Sequence, residues 1–174
     1  MDVYEAFGAC GFEAMGECAA AKLAVRPEVR DMCAADTCQS YGRSWACPPG
    51  CGGIEEYQAL IDAAQTCYVA QTVMELEDEF DVETMLEAAE RNRQRFDELH
   101  ALLAEALPEA KVLTSGTCTL CSPCTYPDAP CRFPERRLVS MEAAGLVVSD
   151  VCKAADVPYN HGRNTIAYSG CVLV

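Results

Sequence analysis

The clearest hydrophobic pattern in the chain lies between about Asp81 and Leu107. Apolar side chains recur there at the three- and four-residue steps of an α-helix, and Pro108 ends the pattern because proline cannot continue a helix. The apolar stripe consists of Val82, Met85, Ala89, Phe96, Leu99, Leu103 and Leu107. This pattern predicts one long helix with a single face directed towards a core.

Stretches rich in β-branched residues flank this helix. Residues 67–76 (CYVAQTVMEL) and 111–115 (KVLTS) predict strands on either side of it, and residues 165–174 predict a terminal strand. Strand, helix and strand form a βαβ unit, whose two strands run parallel with a right-handed crossover. We therefore expect an α/β fold, with α+β as the alternative, in which the long helix covers one side of a small sheet.

The remaining sequence predicts shorter helices and two loops. The short helices are expected in part of residues 1–25 and near residues 55–66, 140–144 and 150–155. Residues 33–53 and 116–134 show neither the hydrophobic period of a helix nor that of a strand, and they are dense in turn-forming residues. Each of these two loops holds four cysteines, and we expect them to meet at one end of the sheet. The length suits one domain, so residues 1–174 are expected to form a single cysteine-rich metal-binding domain.

The chain contains thirteen cysteines, an odd number that disulfide pairing does not explain. The first residues, 1–5, lack the basic start and apolar core of a signal peptide. No stretch approaches the roughly 20 apolar residues needed to span a bilayer. We therefore expect a cytoplasmic protein with no membrane association, in which clustered cysteines bind metal.

The net charge of −14 argues against a nucleic-acid partner, because phosphate binding requires clustered Lys and Arg. Small electron carriers are often acidic and are steered towards basic patches on their partners. A protein redox partner is therefore expected, with simple solubility as the alternative explanation of the charge. The oligomeric state is not predicted.

The run Cys118-x2-Cys121-x2-Cys124 is the strongest chemical signal. Zinc sites commonly use Cys-x2-Cys as separated pairs, whereas three cysteines at successive two-residue steps favour an Fe4S4 cluster, as at the start of a bacterial ferredoxin motif. Cys131 is the expected fourth ligand. The alternative is Cys47, because the fourth cysteine of a ferredoxin motif precedes a proline, as Cys47 does. Zinc and the absence of metal remain alternatives.

A second, less regular motif lies in the first loop and predicts a second metal site. Its spacing is Cys33-x4-Cys38-x8-Cys47-x3-Cys51. Trp45 could shield a cluster from water, which would tune its potential. The alternative is that these cysteines pack as small apolar groups. Core packing is the prediction for the other five cysteines, which are Cys10, Cys18, Cys67, Cys152 and Cys171.

Other charged residues suggest supporting roles. Arg132, Arg136 and Arg137 surround the second loop and could offset the negative charge of a cluster. The two histidines, His100 and His161, are too few and too far apart in sequence to suggest a catalytic triad. The phosphate-binding loops of Rossmann and Walker type are absent. The catalytic residues, if there are any, are therefore not predicted.

A combination of motifs carries a family resemblance. The matching segments are Cys38-x2-Tyr41-Gly42-x2-Trp45-x-Cys47-Pro48-Pro49, Cys118-x2-Cys121-x2-Cys124, Pro130-Cys131-Arg132-x-Pro134, Ser140-Met141-Glu142-Ala143-x-Gly145 and the final residues 164–174. With these the chain resembles a family of small predicted metal-binding proteins of unknown function, widespread in anaerobic archaea and bacteria. Cys51 does not belong to the pattern.

The resemblance implies a metal site, expected to be an iron–sulfur cluster, and a contextual link to corrinoid or one-carbon metabolism. For Ser140 and Gly145 the simplest interpretation is structural, as the two ends of a short helix. The leading hypothesis is an electron-transfer or redox accessory protein with one or two clusters. The alternatives are a zinc-binding interaction module, and an enzyme whose cluster binds substrate at an iron held by only three protein thiolates.

Overall fold

The computed structural model describes residues 1–174, and its centre is a five-stranded mixed sheet. The strands are β1 (Ala14–Ala19), β2 (Thr66–Glu75), β3 (Lys111–Thr114), β4 (Val139–Ser140) and β5 (Thr165–Leu173). Their spatial order is β1-β2-β5-β3-β4. All neighbours are antiparallel except β3 and β4, which are parallel. The predicted α/β class is confirmed.

Five α-helices and one short 3-10 helix (Ala20–Lys22) surround the sheet. The α-helices are α1 (Val3–Cys10), α2 (Pro27–Ala34), α3 (Ile54–Ala63), α4 (Val82–Ala106) and α5 (Val148–Ala154). Helix α4 begins at Asp81, whose carboxylate accepts a hydrogen bond from the Thr84 amide at 3.1 Å and so caps the first turn. None of the helices has both the length and the apolar composition needed to cross a membrane.

The predicted βαβ unit is present in a split form. Strands β2 and β3 both run antiparallel to β5, so they are parallel to each other as predicted, with α4 between them in the chain. They are not neighbours, because β5 lies between them. A single sequence reveals the direction of the two strands through the crossover helix. It does not reveal that the last strand of the chain inserts between them.

Both faces of the sheet are buried. Because side chains alternate along a strand, Cys67 and Val69 of β2 face one apolar cluster while Ala70 faces the other. Helices α1 and α4 cover the face of Ala70, and α4 packs there through Phe96, Leu99 and Leu103. The opposite face is covered by residues of α3 and α5, including Ile61 and Val151.

Two elements at the start of the chain were not predicted. Residues 14–19 form the edge strand β1, and α2 places Cys33 in a helix rather than in the first loop. Pro27 occupies the first turn of α2, where its missing amide costs no hydrogen bond. Strand β1 consists largely of small residues and depends on pairing with β2, which local sequence does not show.

The helix predicted at residues 140–144 is wrong. Ser140 ends β4, and the next residues form one tight turn. The Ser140 hydroxyl accepts a hydrogen bond from the Ala143 amide at 3.0 Å, and Gly145 closes the turn with a φ of 88°, a conformation that favours glycine. Ser140 and Gly145 therefore mark the two ends of a turn, not of the predicted helix.

The first turn of α4 also departs from the predicted stripe, because Val82 is 59% exposed. A helix of 25 residues is about 37 Å long, whereas the ten residues of β2, the longest strand, span about 33 Å. The helix is therefore longer than the longest strands that it covers.

Gly170 in β5 packs directly against Phe96 of α4. A Cβ atom there would overlap Phe96 Cζ and lie 2.6 Å from the Leu113 carbonyl oxygen. We expect Gly170→Ala to lower the free energy of unfolding by about 1–3 kcal/mol, because the core is already filled. Denaturant unfolding followed by circular dichroism measures this. Gly8→Ala in α1 is the control, since it meets no atom within 4 Å and is expected to be neutral or slightly stabilising. Equal stability of the two variants would contradict the prediction.

Candidate metal centre

The two parallel strands of the sheet place the cysteine loops. Strands β3 and β4 are adjacent and parallel, so their carboxyl ends lie at the same edge. The second cysteine loop leaves the end of β3, and the turn at residues 141–145 leaves the end of β4. Loops at the carboxyl ends of parallel strands are the usual location of binding sites in α/β proteins.

A cavity of about 420 Å³ lies at this edge. Three of the predicted ligands of the first loop line it, namely Cys33, Cys38 and Cys47. The other walls come from Gly116 and Thr117 after β3 and from the end of β4. Cys38 is exposed, Cys33 is half-buried and Cys47 is buried, so the three thiols extend from the surface into the protein.

The thiols around this cavity influence one another. Burial first, and then the neighbouring thiol of Cys38, raise the pKa of Cys33. Burial also raises the pKa of Cys47, although a contact of 3.1 Å between Cys47 Sγ and Thr117 Oγ1 opposes the shift. A metal bound here must therefore displace protons from these thiols.

Cys51 is the one predicted ligand of the first loop that does not line the cavity. It is only 6% exposed and belongs to the apolar cluster beneath the loop. Burial raises the pKa of its thiol, and the guanidinium of Arg30 opposes this. Arg30 itself lies 5.7 Å from the centre of the Tyr57 ring and donates to the Gly52 carbonyl at 3.1 Å.

Glu142 lines the same cavity as the three thiols, although sequence reasoning gave it no functional role. Its Oε2 atom is buried and has no hydrogen-bond partner. Burial raises the pKa of this carboxyl, and hydrogen bonds from its own amide and from Ser140 only partly offset that effect. The signal in the sequence was its position in the family motif Ser140-Met141-Glu142-Ala143-x-Gly145.

The second loop gathers the other predicted ligands. Burial raises the pKa of Cys118, and the thiols of Cys121, Cys131 and Cys124 add to that effect. All four side chains are half-buried. Within the loop, Thr125 Oγ1 donates to the Pro130 carbonyl at 2.9 Å and Arg132 donates to the Pro123 carbonyl at 3.0 Å. These bonds turn the chain back so that Cys131 returns to the three earlier cysteines.

The two cysteine loops are in direct contact, as predicted. Trp45 Nε1 donates a hydrogen bond to the Ala129 carbonyl at 3.0 Å. The rings of Trp45 and Tyr126 meet edge to face with 4.9 Å between their centres. Gly50 permits this contact, because a Cβ there would lie 2.7 Å from both Tyr126 and the Ser44 carbonyl oxygen.

Cys124 links the two groups of thiols. Burial would raise its pKa, but hydrogen bonds from the Tyr126 and Trp45 amides and from the Ser44 hydroxyl leave the pKa below its ordinary value. Ser44 and Trp45 belong to the first loop and stand close in sequence to Cys47. One short segment therefore contacts a cysteine of each group.

Basic side chains lie beside the thiols as the sequence suggested. Arg137 lines an open cavity with Trp45 and Cys131, and it also acts on Cys51 from the other side. Arg136 borders a small pocket next to Cys118 and stacks on the Phe133 ring at 5.6 Å. Positive charge at these positions offsets the repulsion between neighbouring thiolates.

In this conformation no three Cys, His, Asp or Glu side chains converge closely enough to hold one metal ion. The donor chemistry nevertheless fits a thiophilic metal or cluster, because sulfur ligands bind zinc and iron–sulfur clusters and each group stands on a loop rather than in the core. The assignment of the eight cysteines as ligands stays a prediction.

The sequence did not predict that four of the core cysteines lie close together. Cys18 and Cys67 are directly opposite each other on β1 and β2, and the thiols of Cys67 and Cys171 hydrogen-bond to each other. Cys152 lies in the same apolar cluster. Hydrogen bonding from Cys67 and burial raise the pKa of Cys18 strongly, and the pKa values of Cys67 and Cys152 are raised as well, so these three thiols are protonated. The residues were predicted individually as core, and only strand register brings them together.

Comparison with known protein families matches residues 17–174 to a family described as predicted metal-binding protein (DUF2284). The chain belongs to this family. The match leaves only residues 1–16 outside it and includes every cysteine of both loops. The resemblance predicted from the sequence is therefore confirmed. The family is described as metal-binding by prediction, and this description applies to the DUF2284 chain as a member. No curated protein and no solved structure matches the chain.

The burial of the core thiols gives a testable order of reactivity. In the metal-free DUF2284 chain, iodoacetamide should modify the exposed Cys38 first. Cys18, Cys67 and Cys152 should react on the order of a hundredfold more slowly, because they are buried and protonated and reaction requires local unfolding. Peptide mass spectrometry over time measures each rate, and denatured protein is the control in which the difference should vanish. Rapid native labelling of Cys67 would contradict this order.

Proposed function

We propose that this protein binds two iron–sulfur clusters of the Fe4S4 type and acts in electron transfer or as a redox accessory. The observation that carries the proposal is the contact between two four-cysteine groups at one edge of the sheet. Ser44 and Trp45 join them, since this segment hydrogen-bonds to Cys124 and lies next to Cys47 in the chain. Two adjacent redox sites would let single electrons pass from one site to the other.

A bound cluster would supply one-electron chemistry whose potential depends on hydrogen bonds to sulfur, nearby charge and exposure to water. The chain provides each of these influences. Thr117 contacts the Cys47 sulfur at 3.1 Å, and backbone amides hydrogen-bond to Cys124. Arg30 and Arg137 place positive charge near Cys51. The half-buried rings of Trp45 and Tyr126 pack edge to face where the two loops meet.

The net charge of −14 favours a protein partner with a basic docking patch, because opposite charges attract the two proteins over long distances. Cys38 and the half-buried cysteines of the second loop are close enough to the surface for electron transfer between a cluster bound to them and such a partner. The contextual link to corrinoid or one-carbon metabolism stays a prediction that rests on the family resemblance alone.

Reconstitution with iron and sulfide under anaerobic conditions tests the metal directly. We expect about eight irons and eight acid-labile sulfides per chain, as two Fe4S4 clusters require. Cys121→Ser should remove about half of the iron, because it takes away one ligand of the second group. Cys10→Ala is the matched control, since Cys10 lies in the other apolar cluster, and it should retain all of the iron.

Electron paramagnetic resonance of the chemically reduced protein should then show two clusters in the wild type. In Cys121→Ser it should show only one. A colourless protein that holds zinc and no sulfide would overturn the proposal and favour a structural zinc-binding module.

Trp45 offers a second test, because it is the only tryptophan in the chain. Its ring lies between the two loops, so a cluster that absorbs visible light should quench its emission strongly by energy transfer. Titration of the metal-free protein with iron and sulfide should quench the fluorescence, whereas zinc, which is colourless, should not quench it by this route. Trp45→Phe gives the blank. Emission that does not change on iron loading would contradict clusters at these loops.

A further inference from the structure

The fourth cysteine of the first group lies in a different environment from the other three. Cys33, Cys38 and Cys47 share one cavity, whereas Cys51 does not line it. The side chain that does line it, beside the three thiols, is the carboxylate of Glu142. The identity of the fourth ligand is therefore a choice between a thiol below the cavity and a carboxylate in its wall.

The surroundings of Cys51 are those of a core residue. Its thiol lies 3.9 Å from the Ala143 carbonyl oxygen and belongs to the apolar cluster that contains Tyr57 and Ile61 of α3. The backbone is fixed as well, because the Cys51 amide donates to the Cys47 carbonyl at 3.1 Å and the Tyr57 hydroxyl donates to the Cys51 carbonyl at 2.5 Å. Turning this thiol into the cavity requires rearrangement of a packed segment.

Glu142, in contrast, stands on a hydrogen-bonded turn in the wall of the cavity. It follows the end of β4 in the turn capped by Ser140, and its carbonyl accepts from the Gly145 amide at 2.9 Å. Its carboxylate acts electrostatically on Cys33, as the Cys51 thiol also does, so the difference between the two candidates lies in the lining of the cavity. Its buried Oε2 atom has no partner within the protein. A buried polar atom left unpaired is destabilising, more so if it is charged, and an ion in the cavity would supply the missing partner.

We propose that Glu142, rather than Cys51, completes the first metal site, so that one metal position at the cavity is bound by oxygen instead of sulfur. This inference rests on the proposed function for the presence of a metal, but the ligand assignment holds for iron–sulfur and for zinc. A carboxylate is a harder and more readily exchanged ligand to iron than a thiolate. The first site would therefore admit a small exogenous ligand from the cavity, while the all-cysteine second site would serve electron transfer alone.

The experiment compares Glu142→Gln, Glu142→Cys and Cys51→Ala in the full chain after anaerobic reconstitution with ⁵⁷Fe and sulfide. Glu83→Gln is the matched control, because Glu83 is exposed on the first turn of α4. Circular dichroism verifies that each variant is folded. The readouts are metal per chain after challenge with a chelator, and the Mössbauer spectrum of the clusters.

We expect wild type, Cys51→Ala and Glu83→Gln to retain the same metal, whereas Glu142→Gln loses first-site metal to the chelator. In the wild type one iron subsite should differ from the thiolate-bound irons, and Glu142→Cys should abolish that difference. Loss of first-site metal in folded Cys51→Ala, or a Glu142→Gln variant identical to wild type, would overturn the assignment.

The outcome separates this inference from the proposed function. If the wild type holds zinc and no sulfide, the iron–sulfur proposal fails, and zinc retained in Cys51→Ala but lost in Glu142→Gln still supports the ligand assignment. If the clusters form and only Cys51→Ala loses iron, the proposed function stands and this inference fails.

Discussion

The contact between the two cysteine loops is the interaction on which the site depends. Each loop is long and lacks regular structure, and the hydrogen bonds within the second loop do not fix its position relative to the first. Trp45 anchors the first loop to the second through one hydrogen bond and one edge-to-face ring contact. Because Cys47 lies two residues further along and touches Thr117 after β3, the same short segment positions thiols of both groups.

The sheet determines where that contact can form. Parallel pairing of β3 with β4 brings the second loop and the Ser140 turn to one edge. Insertion of β5 beside β3 fills the sheet with residues buried on both faces, and Gly170 lets α4 pack closely against it. The rigid layers therefore carry the stability, and the loops are free to carry chemistry.

Electrostatics distinguishes Cys124 from the other thiols. In the core, hydrogen bonding between the thiols and burial raise the pKa values of Cys18 and Cys67, which behave as small apolar groups. At the edge, burial also raises the pKa values of Cys33, Cys47 and Cys118, whereas hydrogen bonds from backbone amides and from Ser44 lower the pKa of Cys124. A chain with thirteen cysteines can in this way keep some inert and hold others ready for a metal.

The sequence by itself determined the long helix, the flanking strands, the two loops and the candidate ligands, because hydrophobic period, turn residues and cysteine spacing are all local properties. The tertiary structure alone decided that β5 separates β2 from β3, that Cys33 ends a helix and that Cys51 lies below the cavity. It also decided that Glu142 stands among the thiols. These features depend on strand pairing and on contacts between residues far apart in the chain, and no local pattern encodes such contacts.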